Sequence, residues 1–268
     1  MSKISEALAL ARDLAEVLVT DRLNPERNLG SKLAGAHCRT VRFHSRCKIR
    51  PLPWAELFQK INVSGVDQVA IPGPATKLGD VGAPDYYFAL ASVVKALQPK
   101  TIFEFGTYLG VSALTMAANT DPGCRIFTMD LPDSAITEDA HQLNATDEKH
   151  VVKSRSRVGE AFLQSPLKAR ITQIRDDSMT FRAEKMLAGA DLVFVDGGHS
   201  TPLVTKDTEN AFRILSPNGA ILWDDYFHHY PDVVNFLDGL ADRYPLHAIP
   251  GTNFVLYSRR WHAEAAKK

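Results

Sequence analysis

Residues 101–118, TIFEFGTYLGVSALTMAA, decide the fold. A β-branched and aromatic run stops at Gly106, and from Gly110 onward apolar side chains recur with the helical period through residue 120. Strand, glycine turn and helix make the repeating unit of parallel sheets, because a parallel neighbour is reached only through a crossover. The unit recurs downstream. RIFTMD (125–130), ITQIRD (171–176), DLVFVD (191–196) and GAILWDD (219–225) have strand composition, and helical periodicity falls between them at 111–120, at 156–165 inside a polar insertion (131–170), and at 202–215 behind Pro202. A helix over 84–98 leads into the first strand. Another over 231–244 precedes LHAI (246–249) and NFVLYS (253–258), which only Pro250, Gly251 and Thr252 separate. No crossover fits there, so these two strands pair as a hairpin. The expected fold class is α/β: a doubly wound, mostly parallel seven-stranded sheet with a C-terminal antiparallel hairpin.

The N-terminal part reads differently. Ile4, Leu8, Leu10, Ala11, Leu14, Val17 and Leu18 predict an amphipathic helix over 4–22, whereas Pro25, Pro51, Pro53, Pro72 and Pro74, with six glycines among them, predict loops and short pieces over 24–83. The chain is therefore expected to divide into an extension, 1–83, acting as lid or dimerisation region, and a main domain, 84–268. The apolar face of the first helix suits a homodimer interface and packing onto its own sheet equally well.

Composition narrows the partners. Of 268 residues, 45% are hydrophobic and 23% charged, as in soluble globular proteins. Lys plus Arg equals Asp plus Glu, 31 against 31, so no global field favours a nucleic acid or an anionic membrane. Three cysteines, Cys38, Cys47 and Cys124, do not make a disulfide framework, and no secretory signal or membrane span is legible. A cytoplasmic protein is expected.

In a doubly wound sheet the ligand sits at the carboxyl ends of the strands. Every strand end here is acidic: Glu104, Asp130, Asp176-Asp177, Asp196 and Asp224-Asp225. The first turn reads E-x-G-x-x-x-G. A dinucleotide site uses G-x-G-x-x-G so that the backbone can approach a pyrophosphate. Here the middle glycine is missing and Glu104 stands just before the turn, which repels phosphate and suits a ligand carrying positive charge. Asp130, at the second strand end, stands where an acidic side chain accepts hydrogen bonds from ribose hydroxyls. A nucleoside bearing a cationic group in place of a phosphate is S-adenosyl-L-methionine.

On these motifs residues 84–258 resemble a class I S-adenosylmethionine-dependent methyltransferase. The resemblance implies that Glu104, Gly106, Thr107 and Gly110 surround the methionine end of the cofactor, that Asp130 holds the ribose, and that Asp177 and Ser178 lie beside the adenine. A narrower resemblance, carried by Asp196-Gly197-Gly198-His199-Ser200 and by the acidic pair before Tyr226, is to small-molecule O-methyltransferases of sugars and natural products. It implies a divalent cation at Asp196, Asp224 and Asp225. Three converging carboxylates also repel one another, so either a cation joins them or at least one takes up a proton. All-oxygen ligands favour Mg²⁺, Ca²⁺ or Mn²⁺ over zinc.

The expected reaction is methyl transfer to a hydroxyl of a small molecule, with Asp196 or His199 taking the proton. His199 reads equally well as a loop or helix-cap residue, and His228 and His229 stand near enough in sequence to reach an acceptor. The alternatives are N- or RNA methylation, a non-catalytic S-adenosylmethionine-binding protein and, at the level of fold, a dehydrogenase. The place after the fourth strand lacks the N/D-P-P-aromatic motif of many N-methyltransferases. The basic strip 37–50 matches no strong zinc pattern through Cys38, His44 and Cys47. It is expected to fold over the cleft, with Arg42 and Arg46 meeting an anionic part of the acceptor. Net neutrality thus averages a basic strip and an acidic rim.

Overall fold

In the computed structural model the described residues are 47–73, 84–132, 143, 147–148, 151–152, 156–182, 184, 187 and 189–265. The helix expected at 4–22 and the basic strip through Arg46, with Cys38, Arg42 and His44, lie outside them.

The strands are β1 Thr101–Phe105, β2 Arg125–Asp130, β3 Ile171–Arg175, β4 Ala190–Val195, β5 Leu215–Trp223, β6 His247–Ala248 and β7 Val255–Ser258. They form one sheet in the order β3-β2-β1-β4-β5-β7-β6. β1 to β5 are parallel, and β7 runs antiparallel to both β5 and β6. This is the α/β sheet with a terminal hairpin that the sequence predicts, and it has the class I methyltransferase arrangement.

The helices are α1 Trp54–Ile61, α2 Pro84–Leu97, α3 Val111–Ala118, α4 Glu160–Leu163, α5 Thr201–Ile214, α6 Pro231–Leu240 and α7 Arg259–Ala265. Because side chains alternate along a strand, each central strand feeds two cores. Ile102, Phe194 and Leu222 join Leu90 of α2 and Met116 of α3 on one face. Phe103, Val193 and Ile221 join Ala211 of α5 and Leu237 of α6 on the other. Burial on both faces is why these strands read as continuous apolar runs rather than alternating ones. The strand order reverses between β1 and β4, which opens a crevice at their carboxyl ends.

Two elements differ from the sequence reading. α1 lies within the stretch expected to be loops and short pieces; Pro53 precedes its first turn, and Asn62, left-handed at φ 67°, ends it. α7 follows the last strand, anchored by buried Trp261, whose indole N–H donates to the Lys60 carbonyl at 3.2 Å. The segment before α1 joins the sheet: Leu52 N–H donates to Ala248 O at 2.8 Å, and Ala248 N–H to Arg50 O at 3.1 Å. No described helix is long and apolar enough to cross a membrane.

Candidate active site

The first turn is built by close approach of two strands. Gly106 has φ 93°, and a Cβ there would lie 1.8 Å from the Asp196 carbonyl oxygen. Gly110, at φ 78°, would drive a Cβ to 2.5 Å from the Phe162 ring. Chain packing therefore already demands both glycines. Tyr108, also left-handed at φ 46°, donates its N–H to Asp130 Oδ2 at 2.8 Å, and Leu131 N–H donates to Oδ1 at 2.8 Å. Burial raises the Asp130 pKa while these amides pull it back. The carboxylate at the end of β2 thus holds the turn after β1 in place.

Glu104 lies beneath that turn, fully buried. Thr128 donates its hydroxyl to Oε2, and Oε1 has no hydrogen-bond partner. Burial carries its pKa to about 8, opposed by the hydroxyls of Ser112 and Thr128 beside it. Thr107 is turned inward, its hydroxyl 2.7 Å from that of Thr128.

The second feature is the acidic cluster. Backbone bonds continue past the strand ends, from Asp196 N–H to Phe105 O at 2.9 Å and from Asp224 N–H to Val195 O at 3.0 Å. They bring β4 and β5 to the same level. One carboxylate oxygen each from Asp196, Asp224 and Asp225 lie within 4.8 Å of one another. Tyr86 of α2 donates its hydroxyl to Asp196 Oδ2 at 3.1 Å. Burial, then the charges of Asp224 and Asp225, pushes the Asp196 pKa well above the carboxylate range. Burial and Asp225 carry Asp224 to about 8.

His199 closes the cluster. Its Nε2 lies 2.7 Å from Asp225 Oδ2, its Nδ1 is bonded to Asp147, and its backbone N–H reaches both Asp147 oxygens at 3.2 Å. The ring stacks on Tyr230 at 4.2 Å between centroids, with 13° between planes. Burial works to lower the imidazole pKa, but the two carboxylates outweigh it and carry it to about 10.

A cavity of about 260 Å³ runs between these features, from Asp177 and Ser178 past Asp130 to Asp196, His199 and Asp225. Gly106 borders it. Thr107 and Gly110 border a smaller adjoining space of about 60 Å³ shared with Asp196, whereas Glu104 and Asp224 stand behind the walls of both. His228 and His229 group with Phe227, ring centroids 4.0–5.2 Å apart, and do not line the cavity. Tyr86, Asp147 and Tyr230 were not legible in the sequence. Tyr86 lies in an ordinary amphipathic helix and Asp147 in a polar insertion without a motif; only Tyr230, next to the histidine pair, had a neighbouring signal.

The donor groups suit the implied ligands. An unpartnered buried carboxylate oxygen under the glycine turn fits a cationic ligand, and an oxygen-only trio fits a hard divalent ion.

A family model described as a methyltransferase domain matches residues 103–226, from β1 through the acidic pair after β5. No curated protein sequence matches the chain. Among solved structures, the chain is similar to SAH-bound methyltransferase PaMTH1 of Podospora anserina, with TM-score 0.51 and 19% identity over 84% of this chain and 94% of that one. It is also similar to an O-methyltransferase from Bacillus cereus in complex with SAH, with TM-score 0.45 and 17% identity over 68% and 83%. At these identities the likeness is one of fold.

Proposed function

We propose that this chain, which carries the class I S-adenosylmethionine-dependent methyltransferase fold, transfers the methyl group of S-adenosyl-L-methionine to a hydroxyl of a small molecule of sugar or natural-product type. The observation that carries this reading is the convergence of Asp196, Asp224 and Asp225 at one end of a cavity whose other end is Asp177 and Ser178. Asp130 lines the cavity between them and is the residue this reading assigns to the ribose. Glu104, Gly106, Thr107 and Gly110 form the turn around the methionine end, and Asp177 and Ser178 flank the adenine. The reading takes residues 84–268 as the catalytic domain of a cytoplasmic enzyme, with 1–83 as an extension that covers the cleft or pairs two copies.

Asp196, Asp224 and Asp225 would hold a divalent cation, Mg²⁺ first. When bound, such an ion lets the three carboxylates stay ionised together and polarises a nearby hydroxyl. The chain's own residues do the rest. Methyl transfer is an in-line displacement, so the walls must bring the acceptor oxygen to about 3–3.5 Å from the methyl carbon. The proton goes to Asp196. His199 faces a carboxylate at each ring nitrogen, and a group with a pKa of about 10 is a donor at neutral pH. Its task in this reading is to hold Asp225, and that of Tyr86 is to hold Asp196.

Calorimetry with S-adenosylmethionine, followed by a panel of hydroxyl acceptors assayed with Mg²⁺ and after chelation, tests the proposal. Absence of cofactor binding would refute it. Turnover indifferent to chelation removes the metal from it, and a methyl group found on nitrogen overturns the acceptor class.

A further inference from the structure

We propose that Tyr86, together with the Asp225 amide and the His199 ring, makes the acidic cluster selective for a small six-coordinate cation over Ca²⁺, by leaving each of its three carboxylates a single oxygen to offer. The inference rests on the reading of Asp196, Asp224 and Asp225 as a cation site.

Side chains alternate along a strand, so two consecutive carboxylates reach one place only where the alternation breaks. Past β5 it breaks at Asp225, left-handed at φ 64°. The Asp225 N–H donates to Asp224 Oδ1 at 2.6 Å. His199 Nε2 lies 2.7 Å from Asp225 Oδ2, and the Tyr86 hydroxyl donates to Asp196 Oδ2 at 3.1 Å. One oxygen of every carboxylate is therefore engaged by the chain, and a different group engages each. None of these groups is loose. Backbone fixes the first, Asp147 and the stacked Tyr230 ring fix His199, and the Tyr86 ring packs against Tyr87 and Phe254 with centroids 4.8 and 4.9 Å away.

The number of oxygens on offer separates the ions. One oxygen from each carboxylate lies within 4.8 Å of the others, a spread that admits either ion. Ca²⁺, however, takes about six to eight oxygens and commonly both oxygens of one carboxylate, whereas Mg²⁺ takes about six in a tight octahedron and keeps several waters. Three single oxygens suit the second ion and starve the first. To give Ca²⁺ another oxygen, Asp196 must turn and forfeit its hydrogen bond from Tyr86. Asp224 is held by a backbone amide and Asp225 by a ring that also holds Asp147, so the Tyr86 hydroxyl is the one restraint that a substitution removes by itself. Tyr86 is thus a positioning residue, acting on the ion through Asp196.

The test is calorimetry with MgCl₂ and CaCl₂, each titrated into the full chain in one buffer at pH 8, on the wild type and on Tyr86→Phe, which keeps the ring and removes the hydroxyl. The wild type is expected to bind Mg²⁺ about tenfold or more tightly than Ca²⁺. In Tyr86→Phe that ratio falls about fivefold or more, mainly through tighter binding of Ca²⁺. Infrared spectra follow the carboxylates directly, because two-oxygen coordination narrows the gap between their antisymmetric and symmetric stretches. The narrow pair should arise in Tyr86→Phe with Ca²⁺ and be absent from the wild type with Mg²⁺. Equal weakening of both ions in Tyr86→Phe marks a merely structural role and overturns the proposal, as does an unchanged ratio or a narrow pair in the wild type with Mg²⁺. Should Tyr86→Phe fail to fold, the wild-type ratio and spectrum decide. A wild type that binds an ion without preferring Mg²⁺ overturns this inference and leaves the cation reading standing; one that binds neither ion removes both.

Discussion

His199 Nε2 lies 2.7 Å from Asp225 Oδ2, while the other ring nitrogen of the same imidazole is bonded to Asp147. One side chain thereby ties the polar insertion to the acidic cluster at the end of β5. Replacing it by alanine leaves two little-exposed carboxylates facing each other without a counter-charge. His199→Ala should lose about 3–5 kcal/mol in urea unfolding, the usual cost of removing one partner from a buried pair. The pH dependence follows from the folded pKa of about 10 against 6.5 unfolded. The contribution is complete below pH 6.5 and is lost as pH rises toward 10. A decline over that window as steep in His199→Ala as in the wild type contradicts the assignment.

Cation binding at Asp196, Asp224 and Asp225 should release protons. Burial holds Asp224 at about 8 and Asp196 well above its usual range, so at pH 7 the cluster carries protons that an ion must displace. Mn²⁺ titrated calorimetrically in two buffers of different ionisation enthalpy should show the release, with affinity rising as pH climbs toward 8. Asp224→Asn should weaken Mn²⁺ at least tenfold, about 1.4 kcal/mol. Uptake without proton release speaks against the cluster as the binding site.

Glu104 offers a cofactor test that needs no acceptor. Its folded pKa of about 8 leaves it mostly protonated at pH 7, and a cation bound nearby favours the ionised form. Affinity for S-adenosylmethionine should therefore increase between pH 6.5 and 8.5. Glu104→Gln should bind about tenfold more weakly at pH 8.5 and show a flatter profile. The same raised pKa means that Glu104 costs the fold stability as pH rises from 4.5 through 8, so Glu104→Gln should also remove part of the wild type's loss over that range.

The two turn glycines should respond unequally. Alanine at 106 meets the backbone oxygen of Asp196, just past the end of β4, and Gly106→Ala is expected to cost about 3 kcal/mol or more. At 110 the obstacle is chiefly the Phe162 ring, so Gly110→Ala should cost less, about 1–3 kcal/mol, and Phe162→Leu in the same chain should recover part of it. Thermal unfolding of the three variants decides the order.

The sheet was legible because its strands are short apolar runs with turn residues at fixed places, and both faces are covered. The punctuation misled at α1: Pro53 reads as a loop residue, yet a proline is also a good residue before a helix, and Leu57 buries the face that makes the helix worth forming. α7 escaped because RRWHAEA has no apolar period beyond Trp261. In the site, Asp130, Asp196, Asp224 and Asp225 were readable because strand ends fix their level and side. Tyr86 and Asp147 come from other segments, and tertiary packing alone brings them to Asp196 and His199. The glycines were read for the ligand they would admit, while the structure shows them answering first to neighbouring chain.

The bridge between Pro51 and Ala248 bears on how the molecule meets its own copies. β6 is the outermost strand on its side of the sheet, two residues long, and an unfinished edge there would be a template for a strand from another chain. Leu52 and Arg50 use its free amide and carbonyl, and the residue between them is a proline, which has no N–H to offer outward. That side of the sheet is closed to propagation. Among the described residues, the hairpin end of the sheet is thereby a proline-blunted edge rather than an open ladder for another chain.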